Sequence, residues 1–448
     1  MRNPISSPVL AAAARGLVGL SLGCQPQPTT SPGETTQLAS GPPGSIDTER
    51  LERADVLERH ALVCAVLERN PDLAAAHEAL ASARARARQP VGLGNTRLAW
   101  SVAPISIGAD VPFGHVLELE QSFRLGQRGI ERRVAGTEAD AVAHRRDAMR
   151  NELAYAAALS YDEHYELARA LEINAEQHTL VEQLVESTTR RYAAGVGSAQ
   201  DPLQAQLELA RIEQERVELQ ASRRIAIAQT NRLLHRPPDA PLPPPPKRLD
   251  EPDELHDPAR LHRDAIGARP ELRAAASEAE AREQATTLAR RRFAPELSAM
   301  ASYNSMWSDA AHRFMVGVGV SLPLQIGGLK AGVAEARAEH RRADRLVQAE
   351  RDRIATQVEE ALVRVSAAAE IVELHRDKLV PTARARVEAA RIGYETGAND
   401  LDTLIDAARE LRDLELASER ALAELDRRRA ELDWAVGRAP CASAEVQL

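Results

Sequence analysis

The chain has 448 residues, a net charge of −9 and an aromatic content of 3%. So few aromatic residues exclude several conventional globular cores, whereas the abundant Ala, Leu, Arg and Glu are typical of long helices and coiled coils. The sequence has no basic block and no interleaving of basic with aromatic residues, so we expect no nucleic acid partner.

Residues 1–24 resemble a bacterial lipoprotein signal peptide, because a cation and an apolar run lead to Cys24. Cleavage before Cys24 would free its amine and thiol for acylation, which makes this residue the candidate lipidation site. Arg15 interrupts the apolar run and Leu22 stands where a small residue is usual, so ordinary secretion and a misassigned start are alternatives. Residues 25–46 are rich in Pro, Thr, Ser and Gly and predict a flexible tether.

Two further cysteines, Cys64 and Cys441, follow the signal segment. Cys64 lies in the apolar helical stretch ALVCAVL, where a free buried thiol is the commoner state. We therefore expect the two cysteines to stay unpaired, with a disulfide in an oxidising compartment as the alternative.

The chain contains an internal repeat of about 200 residues. Three pairs of landmarks share nearly the same offset: Pro71 and Pro270 (199 residues), Gly126 and Gly327 (201), and Gly195 and Gly397 (202). The sequence thus predicts a first repeat over 47–236 and a second over 250–438, followed by a tail over 439–448. A stiff Pro-rich linker, 237–249, separates the repeats.

Each repeat predicts a first helix, two strands, a very long helix, a tight turn and a further helix. The first helices are expected at about 47–88 and 258–292. Alternating apolar residues, as in HVLELEQSF, predict the strands 97–107, 115–123, 295–306 and 313–324. Aromatic residues concentrate in these strands, which is typical of a membrane barrel with aromatic girdles, although a small water-soluble β-domain is the alternative.

The long helices are predicted over about 129–193 and 328–395, and some 65 residues at 1.5 Å each span roughly 100 Å. Such helices need neighbours along their whole length. After each turn an apolar residue recurs at every seventh position, with one polar interruption at Ser418 in the second row, which predicts coiled-coil packing. The first row contains Ala205, Ile212, Leu219, Ala226 and Leu233; the second contains Leu404, Leu411, Ser418, Leu425 and Leu432.

No segment after the signal has the roughly 18 uninterrupted apolar residues of a transmembrane helix, so a membrane-spanning part would consist of β-strands. Four strands cannot close a barrel alone, because an open edge in lipid leaves backbone groups without partners. Three chains would supply twelve strands. The fold class is therefore mainly α with a small β part, built from a duplicated helix-strand-strand-helix-helix unit.

The order of these elements and the motifs NPDL, LGQRG, SLPLQIGG, RRYAAGVGSAQDPL and GYETGANDLDTLIDA resemble the TolC-like outer-membrane efflux family. The resemblance implies a homotrimer with a 12-stranded barrel in outer-membrane lipid and a coiled-coil tunnel in the periplasm. It implies partnership with a periplasmic adaptor (membrane fusion) protein and an RND-type inner-membrane pump. The strand exit FRLGQRG is most similar to the heavy-metal-efflux branch, while drug-efflux and type I protein-secretion ducts share the architecture.

The resemblance also suggests roles for residues at the two turns. Asp402 and Asp406 match positions that supply acids to a constriction ring, with a solvated helix face as the alternative. Asp201 precedes Pro202 and predicts a helix N-cap, with a tip contact as an added role. The expected adaptor-contacting tip consists of Gly195, Val196, Gly197, Ser198, Asp201 and Gly397, where the glycines also serve turn geometry.

No cofactor, metal site or enzymatic activity is expected. The sequence lacks a phosphate-binding glycine loop, a nucleophile elbow and a paired-acid motif with supporting context. Asp162, Glu163, His164 and Glu166 form an acidic patch that predicts a solvated surface rather than a metal site. The expected function is an outer-membrane exit duct for metal cations or small toxic compounds, and a lipid-anchored periplasmic coiled-coil scaffold is the competing hypothesis.

Overall fold

The computed structural model describes residues 54–89, 95–103, 114–124, 126–249, 257–307, 309, 312–438 and 441. These residues lie in one compact unit, Gly44–Leu448. The predicted signal peptide with Cys24, the tether, the end of the first predicted strand and most of the tail lie outside the described residues.

The two halves of the chain pass through the same order of elements. The first half contains α1 (Arg59–Arg69), α2 (Pro71–Arg88), β1 (Arg97–Ala103), β2 (Gly114–Arg124), α3 (Arg128–Ala193) and α4 (Gln200–Leu233). The second half contains α5 (Pro258–Ala268), α6 (Pro270–Arg291), β3 (Glu296–Asn304), β4 (Phe314–Ser321), α7 (Ile326–Leu374), α8 (Val380–Thr396) and α9 (Leu401–Val436). A π-helical turn, His375–Leu379, joins α7 to α8.

Proline divides three helices that the sequence predicts as continuous. Asn70 and Arg269, which precede Pro71 and Pro270, have extended backbones because a following proline disfavours the helical conformation. The expected single first helices are therefore the pairs α1–α2 and α5–α6. Pro381 lacks an N–H group and cannot donate a helical hydrogen bond. The chain forms a π-helical turn just before it.

Asn70 and Arg269, which precede Pro71 and Pro270, each connect the first helices of their repeat to its last helix. Asn70 is buried, and its Nδ2 donates to the carbonyl oxygen of Leu233 at 3.1 Å. Arg269 is also buried, and its Nη1 donates to the carbonyl oxygens of Trp434 and Ala435 at 3.3 and 3.2 Å. The last turn of α4 and the last turn of α9 are thus held at equivalent positions of the two repeats.

Small and branched residues fill the core between the helices. One large cluster lies where α1 and the end of α4 pack on α3, and a second lies where α5 and α9 pack on α7; a smaller one, near the second turn, contains Tyr394, Leu401 and Ile405. Fully buried alanines in both large clusters permit close helix approach. Members of the two large clusters include Leu62, Val66, Ala157, Tyr161, Leu234, Leu261, Ile354, Val358, Ala361 and Val365.

The four strands form one antiparallel sheet in the order β1-β2-β3-β4. Its central pair joins the two halves, since Leu117 lies opposite Tyr303. The register places the apolar residues on one face, which includes Leu98, Trp100, Leu117, Leu119, Ala301, Tyr303, Phe314, Val316 and Val318. The opposite face carries small or polar residues such as Glu118, Glu120, Ser298, Ser302 and Gly317.

The apolar face of the sheet is exposed within the single chain. Val316 retains 90% of its accessible surface, Val318 77% and Phe314 73%. Strands β1 and β4 form the two edges, because each pairs with only one described strand. Among the described residues, no helix is both long enough and apolar enough to cross a bilayer.

Two expectations about individual residues are wrong. Cys64 and Cys441 form a disulfide, because the segment after α9 returns to α1 and brings their Cα atoms within 5.8 Å. Asp162 and His164 are buried rather than solvated. Asp162 pairs with Arg59 of α1, and His164 Nε2 lies 3.0 Å from the carbonyl oxygen of Pro243 in the linker, so segments distant in sequence cover this part of α3.

Candidate functional site

The first tip turn joins α3 to α4 and depends on Gly195. This residue has a φ of +73°, a left-handed conformation that a residue with a Cβ rarely adopts. The turn lets the backbone N–H of Val196 donate to the carbonyl oxygen of Arg191 at 3.0 Å, which satisfies the end of α3. Val196 is 70% exposed at this turn.

The second tip turn, between α8 and α9, also depends on a glycine in the left-handed conformation. Gly397 has a φ of +77°, and the N–H of Ala398 donates to the carbonyl oxygen of Gly393 at 2.8 Å. Asp400 then caps α9, accepting from the backbone N–H of Thr403 at 3.0 Å and from its hydroxyl at 2.6 Å. These hydrogen bonds lower the pKa of Asp400.

Asp201 does not cap α4, contrary to the expectation from the sequence. The helix begins at Gln200, two residues before the expected first position Pro202, and Ala199 occupies the cap position. The Ser198 hydroxyl oxygen accepts from the N–H of Gln200 at 3.2 Å. Asp201 lies instead in the first turn, where a negative charge interacts favourably with the helix dipole.

The side chain of Asp201 also contacts the other repeat. The hydroxyl of Tyr394 donates to Asp201 Oδ2 at 3.5 Å, and Tyr394 is 8% exposed. The guanidinium of Arg191 lies 4.8 Å from the centre of the Tyr394 ring. Both burial and the Asp201 charge raise the pKa of the Tyr394 hydroxyl, which therefore remains a hydrogen-bond donor at neutral pH. The start of α4, in the first repeat, and the end of α8, in the second repeat, meet at this contact.

Asp402 and Asp406 lie one turn apart on α9, and both are exposed. Asp402 Oδ2 accepts from Nε2 of Gln204 on α4 at 3.2 Å. Asp406 Oδ1 lies 3.4 Å from Nη1 of Arg409 and keeps 65% of its side-chain surface exposed. The two carboxylates are therefore accessible to ions from the same side of α9.

A buried acid that is not among the predicted site residues contacts the same arginine, Arg409, as Asp406 does. The Glu208 side chain on α4 is 5% exposed and contacts three arginines. Arg409 Nε donates to Glu208 Oε2 at 2.8 Å, while Nη1 atoms of Arg412 and Arg211 lie at 3.7 and 3.5 Å. The hydrogen bond from Arg409 to Glu208 raises the pKa of Arg409.

The spacing of Glu208 could have revealed this role. It follows Ala205 by three residues and precedes Ile212 by four, which is an inward-facing position of the coiled-coil pattern. A carboxylate at such a position requires a buried cation as partner. Because Arg409 contacts both Glu208 and Asp406, the cluster connects α4 to the exposed acids of α9.

Comparison with known protein families gives a match over part of the chain. A profile of the outer membrane efflux protein family matches residues 261–438. No curated protein sequence matches the chain.

Several solved structures are similar over most of the chain. A membrane protein from Pseudomonas aeruginosa has a TM-score of 0.74 at 21% identity, covering 88% of this chain and 93% of its own. The outer membrane protein VceC from Vibrio cholerae has a TM-score of 0.71 at 21% identity, covering 85% and 96%. CusC has a TM-score of 0.74 at 17% identity, covering 85% and 92%.

These similarities confirm the resemblance that the motifs indicated. At such identities the solved structures establish the fold alone, and the profile match covers residues 261–438, which is less than half of the chain. Residues 261–438 therefore resemble the outer membrane efflux protein family, and the chain has the fold of solved outer-membrane channel proteins.

Proposed function

We propose that the protein is the outer-membrane exit channel of a tripartite efflux system. An RND-type pump in the inner membrane and a periplasmic adaptor would deliver metal cations or small toxic compounds to it. The observation that carries this proposal is the sheet with one exposed apolar face on helices about 100 Å long. The match to the outer membrane efflux protein family supports it.

The open edges of the sheet favour a trimer. Strands β1 and β4 would leave backbone N–H and C=O groups without partners in a hydrocarbon environment. Pairing β4 of one chain with β1 of the next would satisfy those groups, and three chains would close a twelve-stranded sheet. The exposed apolar face would then contact lipid, and the face with Glu118 and Glu120 would line the interior.

Exposed apolar residues on α4 support the same assembly. Leu203, Leu207, Val217 and Ile225 are each more than half exposed in the single chain. A row of this kind on a helix is usually covered by another helix. A neighbouring copy of the chain would cover it in a trimeric tunnel.

The tip turns would contact the adaptor, and Asp402 and Asp406, just after the second turn, would form the gate. Gly195, Val196, Gly197, Ser198, Asp201 and Gly397 form the proposed adaptor contact. Three copies of Asp402 and Asp406 would place six carboxylates around the aperture. We expect Val196→Asp to weaken cross-linking to the adaptor without dissociating the trimer; unchanged cross-linking would remove Val196 from the contact.

The proposal is tested by fractionation and conductance. We expect the chain in the outer-membrane fraction, as a trimer stable in detergent that conducts ions across planar bilayers. A monomer in the soluble fraction would overturn the channel proposal, and a membrane-bound protein without conductance would favour the lipid-anchored scaffold. Acylation of Cys24 is tested separately by mass spectrometry of the mature amino terminus.

The cargo is tested through the pump. A duct of this kind has no need to bind its cargo tightly, so selectivity would reside in the inner-membrane partner. Deletion of the chain in its native host should sensitise cells to the compounds that the partner pump exports. Loss of protein secretion with unchanged resistance would instead indicate a type I secretion duct.

A further inference from the structure

The disulfide between Cys64 and Cys441 lies beside a third potential metal ligand, His60. Cys64 follows His60 by four residues, so both side chains lie on the same face of α1. His60 Nε2 is 3.5 Å from Cys64 Sγ and 4.0 Å from Cys441 Sγ. The three ligand atoms all lie within 4.8 Å of one another.

We propose that His60, Cys64 and Cys441 form a redox-controlled binding site for one thiophilic cation of the Zn²⁺ type. In the oxidised chain the two sulfurs bond to each other and the site is closed. In the reduced chain they are two thiolates that, with the imidazole, give a Cys₂His ligand set.

The positions of the ligands fit this chemistry. Tetrahedral Zn²⁺ has bonds of about 2.3 Å to sulfur and about 2.0 Å to nitrogen, which separate a sulfur from a nitrogen ligand by about 3.6 Å. The separation between His60 Nε2 and Cys64 Sγ is 3.5 Å, and that between His60 Nε2 and Cys441 Sγ is 4.0 Å. Opening the site thus requires the two sulfurs to move to about 3.8 Å from each other, with little movement of the imidazole.

The surroundings allow this movement and give access to solvent. Cys441 lies beyond the last helix, which ends at Val436, so its side chain is not fixed by helical hydrogen bonds. His60 is exposed and lines a cavity of about 1010 Å³. A cation can enter through this cavity, and a water molecule can supply the fourth ligand of a tetrahedral site.

The redox step balances with a dithiol as the reductant. The dithiol transfers two electrons and two protons to the disulfide, becomes a disulfide itself, and leaves Cys64 and Cys441 as thiols. Binding of the cation then displaces the two thiol protons to solvent. Disulfide and cation exclude each other, so a bound cation should slow re-oxidation of the thiols.

Equilibrium dialysis of the full chain tests the proposal. The purified full-length protein is treated with dithiothreitol, desalted under nitrogen and dialysed against Zn²⁺, beside an untreated sample. We expect the reduced chain to bind one more Zn²⁺ than the oxidised chain. Equal binding in the two redox states would overturn the proposal.

Variants separate this site from other ligands. Cys64→Ser and Cys441→Ser should each abolish the additional Zn²⁺, and the second change lies outside every described helix. His60→Ala should weaken binding about tenfold or more, whereas His77→Ala, which removes an exposed histidine of α2, should not. Cys24 is unchanged in all four variants. Wild-type affinity in His60→Ala would remove the imidazole from the site.

A kinetic readout does not depend on Zn²⁺ stoichiometry. Disulfide formation in the reduced chain, followed by loss of free thiol in air, should be several-fold slower when Zn²⁺ is present. In His60→Ala the protection should be weaker. An equal rate with and without Zn²⁺ in the wild-type chain would contradict a shared site.

Discussion

Asp162 lies in α3 with no exposed surface, next to Arg59 of α1. Burial raises the pKa of its carboxyl group to about 7, although the nearby charges of Arg59 and Arg427 oppose this shift and that of Asp426 adds to it. The folded state therefore binds a proton at this carboxyl more tightly than the unfolded state does. The contact belongs to the helix packing around α1 rather than to the tip.

A pH dependence of stability follows from this difference. The stability contributed by protonated Asp162 is complete below about pH 4 and is lost as the pH rises through 7, at up to about 1.4 kcal/mol per pH unit. Asp162→Asn should flatten the decline in melting temperature between pH 4.5 and 7. Glu176→Gln, at an exposed position of the same helix, should leave the decline as in wild type. An unchanged slope in Asp162→Asn would assign the dependence to other groups.

The exposed acids Asp402 and Asp406 give the second prediction at the residue scale. Six clustered carboxylates would attract cations at the aperture, because like charges at close range lower their energy by binding counter-ions. The double variant Asp402→Ala, Asp406→Ala should reduce block of the channel conductance by divalent cations several-fold. Planar-bilayer recordings measure this block. Glu373→Ala, an exposed acid of α7, is the control, and equal block in both variants would argue against a ring.

At the scale of the elements, α4 and α9 are joined by charge rather than by apolar packing near the tip. Glu208 is almost completely buried and is the anion that Arg409 and Arg412 share. Arg412 bridges Glu208 and Glu215 at 3.7 and 3.6 Å. A link of this type separates more readily than an apolar seam, because water can solvate both partners once they part.

Neutralising Glu208 should therefore loosen the tip. Glu208→Gln keeps the shape of the side chain but leaves Arg409 and Arg412 without their shared anion. We expect a conductance several-fold above wild type, measured in planar bilayers at low voltage. Glu218→Gln, three turns along α4 on an exposed face, should conduct as wild type does. Wild-type conductance in Glu208→Gln would exclude the cluster from gating.

Several elements could be predicted from local sequence. Long runs without helix breakers, period-two alternation in HVLELEQSF, and glycines at the turns depend only on neighbouring residues. The breaks at Asn70 and Arg269 were also readable in principle, because each precedes a proline. The cap position of α4 lies two residues before the predicted Asp201, since Ser198 and Asp201 both resemble capping residues in sequence.

The contacts between distant segments could not be predicted in this way. Whether Asp162 is solvated depends on α1, about 100 residues earlier, and the environment of His164 depends on the linker carbonyl of Pro243. The pairing of Cys64 depends on where the segment after α9 returns. Such contacts between distant segments cannot be recognised from local sequence patterns, because they depend on the complete fold.

At the scale of the whole molecule, the exposed sheet predicts where the protein tolerates charge. Val316→Arg would place a cation on the apolar face, at a cost of about 2–4 kcal/mol per chain near the centre of a bilayer. We expect a much smaller yield of heat-resistant trimer in the outer-membrane fraction. Ser302→Arg, on the opposite face, should assemble as wild type does. Equal yields from the two variants would contradict a lipid-facing role for the apolar side.

The disulfide also sets an order of events during biogenesis. Cys64 and its partner are separated by 377 residues, so synthesis has to proceed as far as Cys441 before the correct bond can form. Until then the thiol of Cys64 is open to attack by oxidants and by other cysteines. Early oxidation would join the wrong sulfurs, and correct maturation therefore depends on oxidation that is slower than synthesis of the segment up to Cys441, or on an isomerase that corrects mispaired bonds.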